Sequence, residues 1–292
     1  MELKKKILVK NNNYQFKIVK INELKKEFLN LIKKEKPDFN KFQIYLKDIK
    51  IQKLSNFLFF LRILDFRLWE FPQNWQYKNK KGFYGLLLRI KDLFKFDLDK
   101  INFLIFKKII SPKEKDYLAK LRYKIFKQSL DWLHKNYESD FMNYFEENKK
   151  PIDFCFNLCQ LEKFQDYYQN FYFLKPNQLL YLEFIIGNKI FKKFENELKT
   201  LTIFSDYKIT QIFLNFNLIF LPQKYLEIIK SKKKIKKQST LENELRWSSI
   251  ILGENLSKKL NIPSYLIDNL MWNLAHKIKF KIPHPRVKTI FY

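Results

Sequence analysis

The sequence predicts a mainly α-helical protein, a single helical domain over residues 1–292 with little β structure. Apolar residues recur at helical spacing along most of the chain. Strand-like alternation is scarce, and dipeptides that favour hairpin turns, such as Asn-Gly, are absent. With 292 residues, of which 46% are hydrophobic, the chain has ample material for a folded core.

Five helices are predicted in the first half of the chain. The first, over residues 21–34, has its apolar residues on one face. The second, over 54–66, is apolar enough to lie deep in the core, and Pro72 stops it. Trp69 follows this helix, and its ring either lines a pocket or only packs. The other three helices are predicted over 83–94, 115–137 and 138–147.

Two glycines mark the start of the helix over 83–94. Gly82 and Gly85 are half of the four glycines in the chain. Because glycine has no side chain, the pair predicts that another stretch of backbone approaches closely there.

A mixed segment follows, in which residues 167–173 are predicted to include a short extended piece. An apolar helix is then predicted over 179–186, and Pro176 suits its first turn. Lys175 would stand just outside this helix, where it is available to a phosphate or a carboxylate. A single lysine at such a place is more often solvated.

The C-terminal part is predicted to contain three further helices. One is apolar and covers 209–221, and the basic run 230–237 is interpreted as a loop after it. Ser239 and Glu242 form a capping-box pattern that predicts a helix through about Leu260, with Glu242 and Arg246 paired on its surface. Pro263-Ser264 ends this helix and caps the last one, whose polar side chains are those of Asp268, Asn269, Trp272, Asn273 and His276.

The formal net charge of +27 admits two interpretations. A basic surface attracts phosphates, which favours a nucleic-acid partner. However, the lysines are spread along the whole chain beside an excess of Asn, Ile and Phe, which is typical of AT-rich coding. We therefore interpret most of the charge as solvated surface, and we do not expect direct nucleic-acid binding.

The cysteines, the N-terminal residues and the longest apolar stretch together predict a cytoplasmic protein without a cofactor. Cys155 and Cys159 are the only cysteines, and their spacing without a neighbouring histidine favours buried free thiols over a zinc site. No signal peptide is evident in residues 1–13. The most apolar stretch, 57–69, is interrupted by charged residues, so no membrane span is expected. Neither a metal nor an organic cofactor is predicted.

Four segments of the C-terminal third carry a family resemblance. They read Leu-Thr-Ile-Phe-Ser-Asp-Tyr-Lys-Ile-Thr-Gln at 201–211, Glu-Asn-Glu-Leu-Arg at 242–246, Leu-Ile-Asp-Asn-Leu-Met-Trp-Asn-Leu-Ala-His at 266–276 and His-Pro-Arg-Val-Lys-Thr-Ile-Phe-Tyr at 284–292. Weaker similarities occur at 65–69, 82–86, 164–166 and 175–178. In order and spacing, these segments resemble the queuosine salvage protein family of queuosine 5′-phosphate N-glycosidases, across about residues 55–292.

This resemblance implies hydrolysis of the bond between ribose and a 7-deazaguanine base, which releases queuine for reinsertion into tRNA. It also implies a helical fold akin to that of DNA glycosylases. The family's catalytic aspartate falls on Asp206, and its ligand-binding positions fall on Phe204, Asp268, Asn269 and Asn273. Relatives usually have an aromatic residue and an acid at the last two positions. The substrate is therefore left open between a nucleoside, a nucleotide and a differently decorated base.

Independently of the family resemblance, the chemistry of N-glycosidic cleavage calls for a carboxylate near the sugar. Cleavage of an N-glycosidic bond builds positive charge on the sugar, and a fixed carboxylate near the anomeric carbon stabilises that charge. Asp206 is our candidate, and it can also orient the attacking water or form a transient covalent bond. The other candidate contacts are Asp268 with Asn273 for the polar edge or aminomethyl arm of the base, Phe204 or Trp69 for stacking, and Lys175, Arg286 or Lys288 for a 5′-phosphate.

Asp206 also has a purely structural interpretation. Aspartate is favoured as a helix N-cap, and residue 206 precedes a predicted helix. The two roles are compatible, because a helix N-terminus keeps a carboxylate ionised. Two functions thus stand: an N-glycosidase acting on a small nucleoside or nucleotide, and a basic helical nucleic-acid-binding protein without glycosidase activity, which only the charge favours.

Overall fold

The computed structural model describes residues 3–8, 17–18, 26–168 and 171–292. Fifteen α-helices and six two-residue strands occur in these residues, which confirms the mainly helical fold class. No helix among them is long and apolar enough to cross a membrane. The chain forms two compact units, each built from segments that are separated in sequence. The single domain over 1–292 stays a prediction.

The secondary-structure elements are numbered along the whole chain. In order they are α1 (Leu3–Ile7), β1 (Lys17–Ile18), α2 (Lys26–Lys34), α3 (Asn40–Leu46), α4 (Ile51–Leu64), α5 (Phe83–Leu93), α6 (Phe103–Ile110), α7 (Asp116–Tyr137), α8 (Phe141–Glu147), α9 (Pro151–Asn157), β2 (Tyr167–Tyr168), β3 (Phe171–Tyr172), α10 (Lys175–Gly187), α11 (Glu195–Leu198), α12 (Tyr207–Asn215), β4 (Ile219–Phe220), α13 (Gln223–Lys230), β5 (Lys234–Ile235), α14 (Thr240–Leu260), α15 (Ser264–Ala275) and β6 (Arg286–Val287).

The first unit comprises residues 1–41, 166–179 and 192–289. Its core is the mutual packing of α12, α14 and α15, with α2 against α15. The ring of Phe28 on α2 lies 4.7 Å from that of Phe216, measured between centroids. Strands β1 and β4 pair antiparallel, as do β2 and β3, whereas β5 and β6 pair parallel. This unit contains all but one of the predicted site residues.

The second unit comprises residues 42–165, 180–191 and 290–292. Helix α4 lies at its centre and packs against α5, α7 and α8. Residues Phe57 to Leu61 are completely buried, and the Phe59 ring stacks on that of Phe141 at 4.5 Å. The core position predicted for residues 54–66 is therefore confirmed. Cys155 is a buried free thiol as predicted, whereas Cys159 is half-buried.

The predicted N-terminal helices are largely present. Helix α2 confirms the prediction for 21–34 from Lys26 onward, and residues 21–25 lie outside the described residues. Helix α8 begins at Phe141, later than predicted, because Glu138 and Ser139 have positive φ values and terminate α7. Helices α3, α6 and α9 were not predicted from the sequence.

The C-terminal predictions need three corrections. The helix predicted over 209–221 ends at Asn215, because Asn217 adopts a left-handed conformation with φ of 54° and β4 follows. The run 230–237 is not simply a loop, since it contains the end of α13 and all of β5. Helix α10 begins at Lys175, before the predicted start.

The extended piece within 167–173 is the β2–β3 hairpin, of which residues 169–170 are not described.

The predicted helix that begins after Ser239 and continues through about Leu260 is confirmed as α14. Ser239 Oγ accepts a hydrogen bond from the Glu242 N–H at 3.4 Å, and the helix ends at Leu260. The Glu242 carboxylate reaches back to the N–H of Gln238. At the last helix, Pro263 occupies the N-cap position. Ser264 does not cap this helix with its side chain, and its hydroxyl instead accepts a hydrogen bond from Lys4 Nζ at 3.0 Å.

The close backbone approach predicted for the two glycines at α5 occurs at Gly85 but not at Gly82. A Cβ on Gly85 would lie 2.0 Å from the carbonyl oxygen of Trp75, which belongs to the backbone and cannot turn aside. Gly82 has open space around it but a φ of 57°, which side-chain-bearing residues rarely adopt. Gly85 is thus required by packing and Gly82 by conformation.

We expect Gly85→Ala to lower the free energy of unfolding by at least about 3 kcal/mol, because the new methyl group clashes with backbone. Gly82→Ala should cost about 1–3 kcal/mol from strain alone. Urea unfolding monitored by circular dichroism measures both values. Equal costs for the two variants would contradict the close approach.

Candidate active site

Asp206 is the N-cap of α12, so its predicted structural role is confirmed. It has extended backbone angles, and its Oδ1 accepts hydrogen bonds from the N–H groups of Lys208 at 2.7 Å and Ile209 at 3.0 Å. Both bonds use the same oxygen, and no hydrogen bond to Oδ2 occurs among the described residues. The residue is half-buried. A fixed, partly accessible carboxylate is what the proposed chemistry requires.

Asp268 lies on α15 and is held by the segment that leads to Asp206. Its Oδ1 accepts a hydrogen bond from the Phe204 N–H at 2.9 Å. Burial raises the pKa of Asp268 well above its ordinary value, and the negative charge of Asp206 raises it further. The Phe204 hydrogen bond and the charge of Lys175 oppose this shift. Asp268 therefore keeps its proton at pH values at which an ordinary aspartate is charged.

Lys175 lies in the same neighbourhood, because its charge acts on Asp268. It is the first residue of α10 and is only 5% exposed. Lys175 therefore lies within the helix and not just outside it, and the solvated alternative is wrong. Its main-chain N–H donates to Asp166 Oδ2 at 2.9 Å, which fixes the start of the helix. A role for Lys175 in binding a phosphate or a carboxylate stays a prediction.

A buried ion pair between Asp166 and Arg246 connects these segments. Arg246 Nη1 and Nη2 bind Asp166 Oδ1 and Oδ2 at 2.6 and 2.7 Å. Arg246 Nε also donates to the carbonyl of Ser205 at 3.3 Å, and Ser205 Oγ donates to the carbonyl of Arg246 at 2.8 Å. One guanidinium thus fixes both the residue before Asp206 and the carboxylate that holds Lys175.

Arg246 does not lie at the surface as predicted. It was expected to pair there with Glu242, but Arg246 is 4% and Glu242 2% exposed. Their closest charged atoms are 4.0 Å apart, whereas the bidentate partner, Asp166, lies 80 residues away in the chain. Both partners lie in segments that carry the family resemblance, but no local pattern links them.

The two asparagines of α15 bind main chain of the first unit. Asn269 Oδ1 accepts from the Asp38 N–H at 2.9 Å and from Asn273 Nδ2 at 3.2 Å. Asn273 Nδ2 also lies 3.3 Å from the carbonyl of Lys36. These contacts anchor residues 36–38 beside the helix that carries Asp268. A substrate role for either asparagine stays a prediction.

Two candidate stacking residues lie in different units. Phe204 is in the first unit, is 2% exposed and supplies the N–H that holds Asp268. Trp69 is in the second unit, in the turn after α4, and is half-buried. Stacking by either ring stays a prediction. The site residues that the first unit brings near Asp206 through contacts or charge are Phe204, Asp268 and Lys175.

His284 lies beside the candidate site and was not among the predicted site residues. Its ring lies 4.7 Å from that of Tyr207, between centroids, and its Nδ1 donates to the Pro285 carbonyl at 3.0 Å. Burial lowers the pKa of His284, and the positive charges of Lys208 and Arg286 lower it further. The charge of Asp206 opposes them. The only sequence signal was its place at the start of the matching segment 284–292.

The fold and site together define a class: a mainly helical protein with two neighbouring carboxyl groups, one fixed at a helix N-terminus and one whose pKa is raised by burial. In the part of the chain that the structure describes, no three His, Cys, Asp or Glu residues are grouped so that they could hold a metal ion.

Comparison with known proteins identifies the family. The sequence model described as queuosine salvage protein matches residues 43–292, and the chain belongs to this family. A protein of Dictyostelium discoideum named queuosine 5′-phosphate N-glycosylase/hydrolase is 31% identical over 103 residues. That match covers 33% of this chain and 32% of the relative, about a third of its length. The family resemblance found in the sequence is confirmed.

Removing one partner of the buried ion pair should strongly destabilise the protein. We expect Asp166→Asn or Arg246→Gln to lower the free energy of unfolding by about 3–5 kcal/mol, because the other charge is left buried and unpaired. The double variant should cost less than the sum of the single variants. Denaturant unfolding measures these values.

Lys199→Gln is the matched control, because it breaks the exposed pair of Lys199 with Glu195, whose charged atoms are 3.1 Å apart. We expect it to cost less than about 0.5 kcal/mol. Additive effects of Asp166→Asn and Arg246→Gln would show that the two side chains do not act as a unit.

The raised pKa of Asp268 makes a prediction about stability. Between the ordinary aspartate pKa and the raised one, the native state holds a proton that the unfolded state has released, so wild-type stability falls as pH rises. Asp268→Asn keeps the acceptor for the Phe204 N–H but cannot ionise. As the pH rises above the ordinary aspartate pKa towards the raised one, the variant should therefore gain stability relative to wild type.

Urea unfolding at a series of pH values tests this expectation. Asp131→Asn, which removes an exposed carboxylate, is the charge-matched control. A constant stability difference between wild type and Asp268→Asn over this range would exclude a raised pKa.

Proposed function

We propose that the protein hydrolyses the N-glycosidic bond of queuosine 5′-phosphate or queuosine and releases queuine for salvage into tRNA. The observation that carries this proposal is the pair of Asp206 and Asp268 in a chain of the queuosine salvage family. One carboxylate is fixed for the sugar, and the other holds a proton for the base. The named relative supports the same reaction.

Asp206 acts on the sugar in this proposal. Its Oδ1 is held by two N–H groups, so its Oδ2 has a defined direction without further restraint from the substrate. As the bond to the base breaks, positive charge on the ribose is stabilised by this fixed negative charge. The same oxygen can orient the attacking water.

Asp268 acts on the base. A 7-deazapurine lacks the ring nitrogen whose protonation helps ordinary purines leave, so the departing base needs help at another edge. A protonated carboxyl group can donate a hydrogen bond there as negative charge develops. This protonation state favours the polar edge of the base over its cationic aminomethyl arm, because a neutral acid is a weak partner for a cation.

The remaining residues have supporting roles in the proposal. Lys175 contributes positive charge beside Asp268. Phe204 stacks on the base, and Asn269 with Asn273 shapes the part of the site that borders residues 36–38. The location in the cytoplasm and the absence of direct nucleic-acid binding belong to the same proposal.

We expect the wild-type protein to release free queuine from queuosine or its 5′-phosphate, detected by chromatography. Asp206→Ala should lower kcat by about three orders of magnitude or more, because it removes the charge that stabilises the transition state. Asp140→Ala is the matched control, since Asp140 caps α8 in the same way through the Met142 N–H. Both variants lose a helix cap worth about 1 kcal/mol.

Retained kcat in Asp206→Ala, or an equal loss in Asp140→Ala, would remove Asp206 from the chemistry. No release by wild type from either substrate would contradict the proposed activity. A salt-sensitive affinity for tRNA in that case would favour the nucleic-acid-binding alternative.

A further inference from the structure

A cavity of about 490 Å³ lies in the second unit. Its lining comes from two stretches of the chain, residues 48–57 at the start of α4 and residues 78–95 in and around α5. None of the candidate site residues lines it. Its volume falls within the range of about 300–1,000 Å³ that is typical of small-molecule sites.

Lysine is concentrated around this cavity. Five of its eleven lining residues are lysines, whereas lysine and arginine together make up 57 of the 292 residues of the chain. Five lysines against two aspartates leave the lining with a net charge of +3. AT-rich coding spreads lysines along a chain and does not account for their concentration at one cavity. The five are Lys50, Lys53, Lys78, Lys91 and Lys95.

Asp92 holds two of these lysines beside the cavity. Its carboxylate accepts hydrogen bonds from Lys78 Nζ at 2.7 Å, from Lys95 Nζ at 2.5 Å and from the Tyr77 hydroxyl at 2.5 Å. Burial raises the pKa of Asp92, but these hydrogen bonds outweigh it and lower the pKa to about 2. Asp92 is therefore ionised at neutral pH and orients both ammonium groups.

The other three lysines differ in their partners. Lys91 Nζ pairs with Asp48 Oδ2 at 3.2 Å, which engages the second carboxylate of the lining. Lys50 and Lys53 are exposed, and the lining contains no third carboxylate for them. The charge of Lys53 also acts on Asp97, an exposed residue outside the lining. An anion that enters the cavity can therefore accept charge-assisted hydrogen bonds from Lys50 and Lys53 without breaking an ion pair of the lining.

The deeper part of the cavity is apolar and partly aromatic. Phe57 is completely buried, and Leu88 and Phe94 are half-buried, whereas most of the lining lysines are exposed. The rings of Phe57 and Phe94 meet edge to face, with their centroids 5.4 Å apart. This contact orients the Phe94 ring, which supplies an aromatic surface below the charged rim.

We propose that this cavity binds a nucleoside di- or triphosphate, with the phosphate chain among the lysines and the base against Phe94. The inference does not rest on the proposed function, because none of its residues belongs to the candidate active site. It assigns the lysines around this one cavity to a ligand and leaves the other lysines of the chain as solvated surface.

Both parts of such a ligand match the lining. A phosphate chain carries several negative charges and many acceptor oxygens, which suits a group of ammonium donors. A nucleobase has a flat π-face, which stacks on aromatic side chains. Inorganic polyphosphate would use the lysines but not the apolar part, and an uncharged nucleoside would use the apolar part but not the lysines.

Calorimetric titration with ATP, adenosine and inorganic tripolyphosphate, without divalent cations, tests the ligand class. We expect ATP to bind at least about 10-fold more tightly than either of the other two, because each lacks one of the matching parts. Phe94→Leu keeps an apolar side chain but removes the aromatic face. It should weaken the binding of ATP and leave that of tripolyphosphate unchanged.

The variant that removes the two lysines without a carboxylate partner in the lining locates the site. We expect Lys50→Gln/Lys53→Gln to weaken ATP binding by about 10-fold or more. Both side chains are exposed, so the fold should be retained, and thermal unfolding checks this. The matched control is Lys108→Gln/Lys135→Gln, which removes two exposed lysines of the same unit outside the lining. It should bind ATP as wild type does.

The candidate active site needs its own control, because the proposed substrate is itself a nucleotide. ATP is therefore also titrated into Asp206→Ala in the presence of excess queuosine 5′-phosphate. We expect ATP binding to persist there, and its loss would overturn the cavity as the ATP site. If wild type cleaves neither queuosine nor its 5′-phosphate, the proposed function fails, and the comparison of the two double-lysine variants still decides the cavity.

Four other results would overturn the proposal. They are no saturable ATP binding at millimolar concentration, equal weakening by both double-lysine variants, tripolyphosphate binding as tight as that of ATP, and binding of tRNA but not of ATP that Lys50→Gln/Lys53→Gln weakens. The third result would exclude a contribution from the base. The last would assign the lysines to a nucleic-acid backbone instead.

Discussion

The arrangement of the candidate site depends on the ion pair between Asp166 and Arg246. A buried ion pair is expensive to desolvate, and it is stable only when its donors and acceptors are matched in geometry. Here both carboxylate oxygens bind the guanidinium, one of them also binds the Lys175 N–H, and Nε binds the Ser205 carbonyl. The interaction therefore determines geometry more than it adds net stability. It fixes the start of α10 and the residue before Asp206 from one point.

The raised pKa of Asp268 follows in part from main-chain geometry. The Phe204 N–H holds Asp268, and Asp206 follows two residues later in the same segment. The charge on Asp206 therefore acts on a carboxyl group that is already buried, and both effects raise the pKa of Asp268. The hydrogen bond from Phe204 opposes the shift but leaves its direction unchanged.

Local patterns predicted local structure well and distant partners poorly. The helix through Leu260 was predicted because its cap and periodicity lie in adjacent residues. The helix predicted over 209–221 ended early because the left-handed Asn217 leads into β4, whose partner strand is β1. Arg246 was predicted at the surface because Asp166, its bidentate partner, is remote in sequence. The family resemblance, by contrast, supplied Asp206 and Asp268, which no periodicity would have distinguished from an ordinary cap and an ordinary helix residue.

The first turn of α12 combines a confirmed structural role with the chemical role that we propose. As an N-cap, Asp206 uses only Oδ1, which accepts both main-chain hydrogen bonds. Capping therefore does not occupy Oδ2, the oxygen that the proposed reaction needs. Because the two N–H groups belong to Lys208 and Ile209 of the same turn, helix geometry sets the direction of the carboxylate, and no remote partner is required for it.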